Sequence, residues 1–328
     1  MKRFRRFATW ALAAGVVAAL VVPLVIPVES SGTKTYTEAA GANAQFVELD
    51  GLDVHVENTK YSGDCNCEAP LLLLLHGFGA SSFSWREVTE DLSQLGEVVS
   101  YDRPAFGFTE RPTEWASVSP YSLEGQMQLL DGLIAKFGEG RKIVLVGHSA
   151  GGQIAAEFAR RQPQKVSSLI LVDPAIFTSG GVPSWLGWVL DIPQLDRVGP
   201  LLVGQISSSG DSVIRQSWFD ESKITPEIYA GYRAPLEIKG WERAFWNFVK
   251  APKATNLSES LDEIKQATLV ITGDADNIVP TAEALKLAGV LPSAELEVIA
   301  KTGHLPQEES PTAFIDAINK HSKFLGLN

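Results

Sequence analysis

The sequence predicts an α/β protein: a mostly parallel central sheet flanked by helices, with a helical cap inserted after the sixth strand. Three observations carry this. Short continuous apolar runs ending in glycine or proline recur along the chain and alternate with helix-like stretches, as strands buried on both faces do. A hairpin signal precedes them. One segment, 175–252, breaks the alternation.

Taken in order, the chain opens on the basic cluster MKRFRR. From Phe7 to Val28 it is then apolar except for Thr9, a run long enough to cross a bilayer. Residues 1–29 are read as an uncleaved membrane anchor, with a cleaved signal as the alternative. The nearest small-x-small site, Ala42-Asn43-Ala44, lies well past the apolar run, and Pro23 and Pro27 kink or end the helix. Positive charge stays on the cytoplasmic side, so the remainder is expected outside the cytoplasm. Residues 30–44, small and polar, read as a linker.

The core is expected over 45–174 and 253–328. QFVELDGLDVHVEN alternates around Asp50-Gly51 and predicts a hairpin. PLLLLLHGFG, EVVSYDRPAFG, KIVLVG, SSLILVDP, ATLVITGD and AELEVIA predict six further strands. Helices are expected at 84–95, 122–137, 152–161, 282–288 and 311–324, giving a sheet covered on both faces. Residues 175–252 hold five of the eight tryptophans and read as short helices, with Thr225-Pro226-Glu227 a clear helix start. This segment is expected to act as a lid, and Trp185, Trp218 and Trp246 are expected to bind substrate.

The 328 residues suit one large α/β domain with an insertion, and 45% hydrophobic with 20% charged residues is ordinarily globular. A formal net charge of −11 argues against a nucleic-acid partner, which needs a basic face. Cys65 and Cys67 have no further cysteine or histidine nearby to complete a metal site. They read as part of a surface loop, or as an oxidised pair outside the cytoplasm.

The chemistry centres on Gly147-His148-Ser149-Ala150-Gly151. The motif follows the strand Ile143 to Val146 and opens a small-residue helix, the context a strained nucleophile elbow requires. A serine hydroxyl needs a base. Of the five histidines, His76 lies in the HGFG turn, His148 adjoins the serine, His55 sits in the hairpin and His321 in the last helix. His304 follows the final strand by a short loop and lands at the carboxyl edge of the sheet. The base needs a carboxylate. Asp276 is preferred to Asp274 for its reach, and Asp173 reads as a turn former. Amides of Ala150 and Phe78 are the expected oxyanion donors.

The pieces LLHGFGASSFSW, VVSYDRPAFGFTERP, VLVGHSAGG, LILVDPA, LVITGDADNIVP and TGHLPQEESP, spread over residues 45–325, together resemble the α/β-hydrolase superfamily in its cap-bearing, serine-nucleophile branch. The resemblance implies an esterase-like serine hydrolase of a small-to-medium apolar ester, acting through an acyl-enzyme, without cofactor or metal. A carbon–carbon hydrolase of a diketone-like substrate uses the same triad. A catalytically silent, membrane-anchored binding protein is the alternative from another class. Epoxide and alkyl-halide hydrolysis, which use an aspartate nucleophile in this superfamily, do not fit Ser149.

Overall fold

The computed structural model describes residues 2–64, 68–177, 187–207, 210–252 and 255–327, so Cys65, Cys67 and Trp185 lie outside the described residues. Eight strands form one sheet: β1 (Gln45–Leu49), β2 (Leu52–Thr59), β3 (Leu71–Leu75), β4 (Glu97–Tyr101), β5 (Ile143–His148), β6 (Ser168–Val172), β7 (Ala267–Gly273) and β8 (Ala294–Ile299). Their spatial order is β1-β2-β4-β3-β5-β6-β7-β8. The hairpin β1–β2 is antiparallel and β2 joins β4 antiparallel; from β4 to β8 every pairing is parallel.

The five leucines of β3 show why the runs are continuous rather than alternating. Leu71, Leu73 and Leu75 enter one apolar cluster and Leu72 and Leu74 the other, so both faces are dry. The first cluster is closed by α4 (Leu123–Phe137), α5 (Ala150–Arg161) and α11 (Thr281–Val290). The second is closed by α3 (Thr89–Ser93) and α13 (Pro311–Leu325), the latter following the single turn α12 (Pro306–Glu309). The helix expected over 84–95 is instead a 3₁₀ turn, Ser82–Trp85, followed by α3. Trp85 and Val88 both turn into the core, and Val88 at φ −123° interrupts the helix between them.

Between β6 and β7 the described chain is helical: α6 (Gly187–Leu190), α7 (Pro193–Ser207), α8 (Gly210–Gln216), α9 (Pro226–Arg233) and α10 (Trp241–Lys250). Thr225 precedes α9 with proline in its first turn, as expected. Ahead of the core, α1 (Lys2–Val25) is the one described helix long and apolar enough to cross a membrane, and none of that stretch is buried. It meets the body along α7, where Gln194 Nε2 donates to the Leu20 carbonyl at 3.1 Å.

Residues 30–44 are not a plain linker. They carry a capped helix, α2 (Tyr36–Ala40), in which Thr35 and Glu38 form a reciprocal capping box. Just before it, Ser30 to Lys34 are fastened to the α9–α10 region. Ser30 Oγ, Ser31 N and Ser31 Oγ donate to the buried Glu242 carboxylate at 2.7, 2.6 and 2.6 Å. Thr33 N and Lys34 N donate to the Glu237 carbonyl, and Lys239 N donates to the Lys34 carbonyl. Gly32 passes so close that an added Cβ would lie 2.8 Å from the Glu237 carbonyl carbon.

A chain starting at Ser30 should therefore melt at least ~5 °C above one starting at Thr35, because the shorter chain strands Glu242 with the loss of hydrogen bonds worth about 1.5–3 kcal/mol each. Thermal unfolding of the two chains by circular dichroism checks this; equal midpoints would show that the strap is incidental.

Candidate active site

The β5–α5 turn forces Ser149 into an unusual backbone, φ 52° and ψ −118°. A non-glycine residue holds such a conformation only when its surroundings over-determine it. Here they do. Ser149 N donates to the Val172 carbonyl at 2.8 Å, and the Ser149 carbonyl accepts from Gly152 N and Ala175 N. The flanking glycines allow the close approach. A Cβ on Gly147 would lie 2.6 Å from the Gly151 carbonyl oxygen, and one on Gly151 would lie 2.6 Å from the His76 carbonyl oxygen. Ser149 is thereby held at the carboxyl edge of the sheet with its side chain on a cavity of about 260 Å³.

His304 lines the same cavity. It sits after β8 on a loop braced from both sides: His304 N donates to the Ser217 carbonyl at 2.7 Å, and the buried Glu309 carboxylate accepts from Gly303 N at 2.7 Å. Glu309 also accepts from Phe219 N and Asp220 N, tying residues 217–220 to the histidine loop. The imidazole Nδ1 is 2.7 Å from Asp276 Oδ2. Asp276 Oδ1 accepts from Ile278 N and Val279 N at 2.7 and 3.0 Å. Burial raises the Asp276 pKa, but the His304 hydrogen bond and charge and these two amides outweigh it. The carboxyl falls below the ordinary aspartate range and is ionised at neutral pH.

Asp173, at the end of β6, is more than a turn former. It is fully buried at φ 41°, and its Oδ1 accepts from Thr272 Oγ1 at 2.6 Å and from Gly273 N at 3.2 Å. Its Oδ2 lacks a conventional partner and its carboxyl lies against that of Asp276. Burial, then the Asp276 charge, push its pKa well above the usual range, which favours the protonated form beside an ionised Asp276. Ligand atoms of Asp173, Asp276 and His304 lie within 4.8 Å of one another, close enough to suggest a metal cluster. The donor set argues against one. Both Asp276 oxygens are already committed, and the carboxylate–imidazole contact of 2.7 Å leaves no room for an ion between them.

Asp274 is exposed and accepts from Thr302 N, away from His304. His55 pairs with Asp102 at 2.8 Å and His321 with Glu297 at 2.7 Å, each far from Ser149 in the topology. His148 is buried, with Nε2 at 2.8 Å from the His304 carbonyl oxygen. Burial and the neighbouring His304 depress its pKa to about 3, so it is neutral.

The Phe78 side chain lines the cavity, its backbone N–H has no acceptor among the described residues, and Ala150 contributes the first amide of α5. Two of the expected substrate-binding tryptophans are placed elsewhere. Trp218 packs with Ile228 and Leu305, and Trp246 fills space left by Gly199 while its Nε1 donates to Asp196. Neither lines the cavity. Trp241 does, with Phe106, Val203, Ile214 and Phe245. A tryptophan-rich segment signals an apolar interior, and which indole reaches the cavity depends on helix packing that spacing alone does not reveal.

A sequence model of the alpha/beta hydrolase family matches residues 72–317. Among curated relatives, the uncharacterized hydrolase YugF of Bacillus subtilis is 26% identical over 272 residues, covering 80% of this chain and 92% of that one. The 2-hydroxy-6-oxo-2,4-heptadienoate hydrolase of Pseudomonas putida is 26% identical over 261 residues, covering 76% and 87%. Among solved structures, a thermophilic esterase from Thermogutta terrifontis is 26% identical with a TM-score of 0.63, covering 87% of this chain and 99% of that one. The chain belongs to the alpha/beta hydrolase family.

The raised pKa of Asp173 has a measurable consequence. A carboxyl whose folded pKa is raised binds its proton more tightly folded than unfolded, so its contribution is full below the unfolded value and lost as pH rises. Asp173→Asn keeps the shape and a donor towards Asp276 without that loss. The variant should melt a few degrees above wild type at pH 8, with the gap closing as the pH falls towards 4. An Asn variant that melts lower at pH 8 by an amount independent of pH would contradict a neutral Asp173.

Proposed function

We propose that the chain is a serine esterase that cleaves a small-to-medium apolar ester through an acyl-enzyme. One observation carries this reading: the strained, buried Ser149 opens onto the same cavity as a histidine already oriented by an ionised aspartate. Ser149 Oγ attacks the ester carbonyl carbon while His304 Nε2 takes its proton. Asp276 holds the Nδ1–H tautomer and stabilises the imidazolium. The amides of Phe78 and Ala150 receive the oxyanion. His304 then protonates the departing alcohol, and a water activated by the same imidazole releases the acid.

The largely apolar wall of Phe78, Phe106, Ile214, Leu236, Trp241 and Phe245 supports an apolar acyl or alcohol group. We take residues 175–252 as the lid over this cavity. Its 217–220 stretch, bonded to the histidine loop, would stay fixed with it, while α7 is held to α10 through Asp196. Carbon–carbon hydrolysis is a second reading, supported by the likeness to the Pseudomonas putida hydrolase.

The anchor reading is part of the proposal. With the basic residues at 2–6 held on the cytoplasmic side, α1 would place the hydrolase domain outside the cytoplasm. The chain from Ile26 to Ser30 spans at most ~16 Å. Since Ser30 is already bonded to Glu242, the domain would be held close to the membrane surface.

A fluorophosphonate probe should label wild type and leave Ser149→Ala unlabelled. Asp276→Asn should lower kcat/KM for a p-nitrophenyl ester by ~10⁴ while the protein stays folded. Failure to label wild type would remove the serine-hydrolase reading. Faster turnover of a vinylogous diketone acid than of any ester would favour the second reading instead.

A further inference from the structure

The turn that supplies the Phe78 amide is held from below by a buried cation that the proposed mechanism does not use. Arg103 follows β4 in the stretch Tyr101-Asp102-Arg103-Pro104 and is fully buried. Its Nη2 donates to the Gly77 carbonyl oxygen at 2.9 Å and its Nη1 to Gln126 Oε1 at 3.1 Å. Its guanidinium carbon lies 5.3 Å from the centre of the Phe106 ring. Among the described residues it forms no ion pair, and its Nε has no acceptor. The neighbouring Asp102 carboxylate is taken up by His55, Ser82 N and Phe108 N. Burying a charge with only neutral partners is costly, and such groups mark functional positions more often than chance.

His76 grips the same carbonyl. Its Nε2 accepts from Arg103 N at 2.9 Å and its Nδ1 lies 2.8 Å from the Gly77 carbonyl oxygen, which assigns the neutral Nδ1–H tautomer. Burial, then the adjacent guanidinium, depress the His76 pKa to about 3, so the ring remains neutral and keeps donating. The Gly77 carbonyl therefore receives two donors from beneath.

A trans peptide is planar, and its N–H points opposite its C=O. Fixing the Gly77 carbonyl downward turns the Phe78 N–H upward. That peptide lies against the nucleophile turn: a Cβ built on Gly77 would meet the His148 ring at 2.7 Å and Ser149 Cβ at 3.2 Å. The structure assigns Arg103, with His76, the role of a positioning residue for the oxyanion hole, which aims the Phe78 amide at the cavity above Ser149 and sets an unpaired positive charge beneath the developing oxyanion. Burial lowers the Arg103 pKa only to about 10, leaving the guanidinium charged at neutral pH. The assignment deepens the esterase reading and rests on it.

The test uses the full chain in detergent, with sites counted by fluorophosphonate titration so that misfolded protein does not enter the rates. Wild type must first turn over a p-nitrophenyl ester and be inhibited by an aryl trifluoromethyl ketone, which forms an anionic tetrahedral adduct with the serine. If it does neither, the hydrolase reading falls and takes this one with it. Given both, Arg103→Gln should lower kcat per titrated site by about 10²-fold, within the range for loss of one oxyanion donor. KM should change by less than about threefold, because the planar substrate makes little use of the hole. Affinity for the ketone should fall in step with kcat. Arg103→Lys, which keeps a charge and one donor, should recover a tenfold part of the loss and serves alone if the Gln variant does not fold. A residue needed only for packing would lower the titratable fraction and the melting temperature while leaving kcat per site and ketone affinity at wild-type values; that result would overturn the assignment.

Discussion

Everything at the functional edge of this molecule depends on a crowded backbone crossing. The turn from β5 into α5 packs Gly147 against Gly151 and Gly152, and Gly151 against the carbonyls of Leu75 and His76, leaving no room for a Cβ at 147 or 151. Ser149, caught between these contacts and its hydrogen bonds to β6, has to adopt a positive φ. Such strain costs of order 1–3 kcal/mol and survives only because the sheet on either side is fully buried. The two-faced apolar β3 and β5 strands are thus more than a core. They are the anvil against which the serine is bent.

Charge is distributed around that bend with equal economy. Burial favours the neutral form of three side chains here: His76, His148 and Asp173. One, Asp276, is kept ionised by hydrogen bonds that outweigh its burial. Asp276 is the carboxylate that meets the His304 ring, while Glu309 braces the backbone of its loop, which is how environments divide roles among similar groups. On the other side of Ser149, the cation of Arg103 stands without a carboxylate, so the site has a negative end beneath the imidazole and a positive end beneath the Phe78 turn.

Much of this was legible in the sequence, for a physical reason. Parallel strands buried on both faces write themselves as continuous apolar runs, so the strand ends, and the chemically able residues placed there, could be read directly. Ser149 and Asp276 follow such runs, whereas His304 follows the alternating edge strand β8. Asp173 was read as a turn former because its neighbour Asp276 is brought to it by sheet order, which no local pattern encodes. Arg103 carries no local signal, because its partners are a backbone carbonyl and the Gln126 amide, both remote in sequence. Ser30 to Lys34 looked like a linker because small polar residues are also what a chain uses to hydrogen-bond a distant carboxylate, here Glu242 more than two hundred positions away. Trp218 and Trp246 show the limit on the apolar side. An indole that fills a gap between helices and one that faces a ligand have the same local signature.

The strap and the Glu309 brace give the insertion two fixed points, one at the start of α10 and one at the histidine loop. The cavity walls between them are therefore set by contacts that also position the proposed base. The most direct test of the whole account is the crystal structure of the protein inactivated by a fluorophosphonate. The account requires the phosphorus on Ser149 Oγ, a phosphoryl oxygen about 3 Å from the amides of both Phe78 and Ala150, and His304 still paired with Asp276. An adduct on another residue, or a phosphoryl oxygen turned away from those two amides, would contradict it.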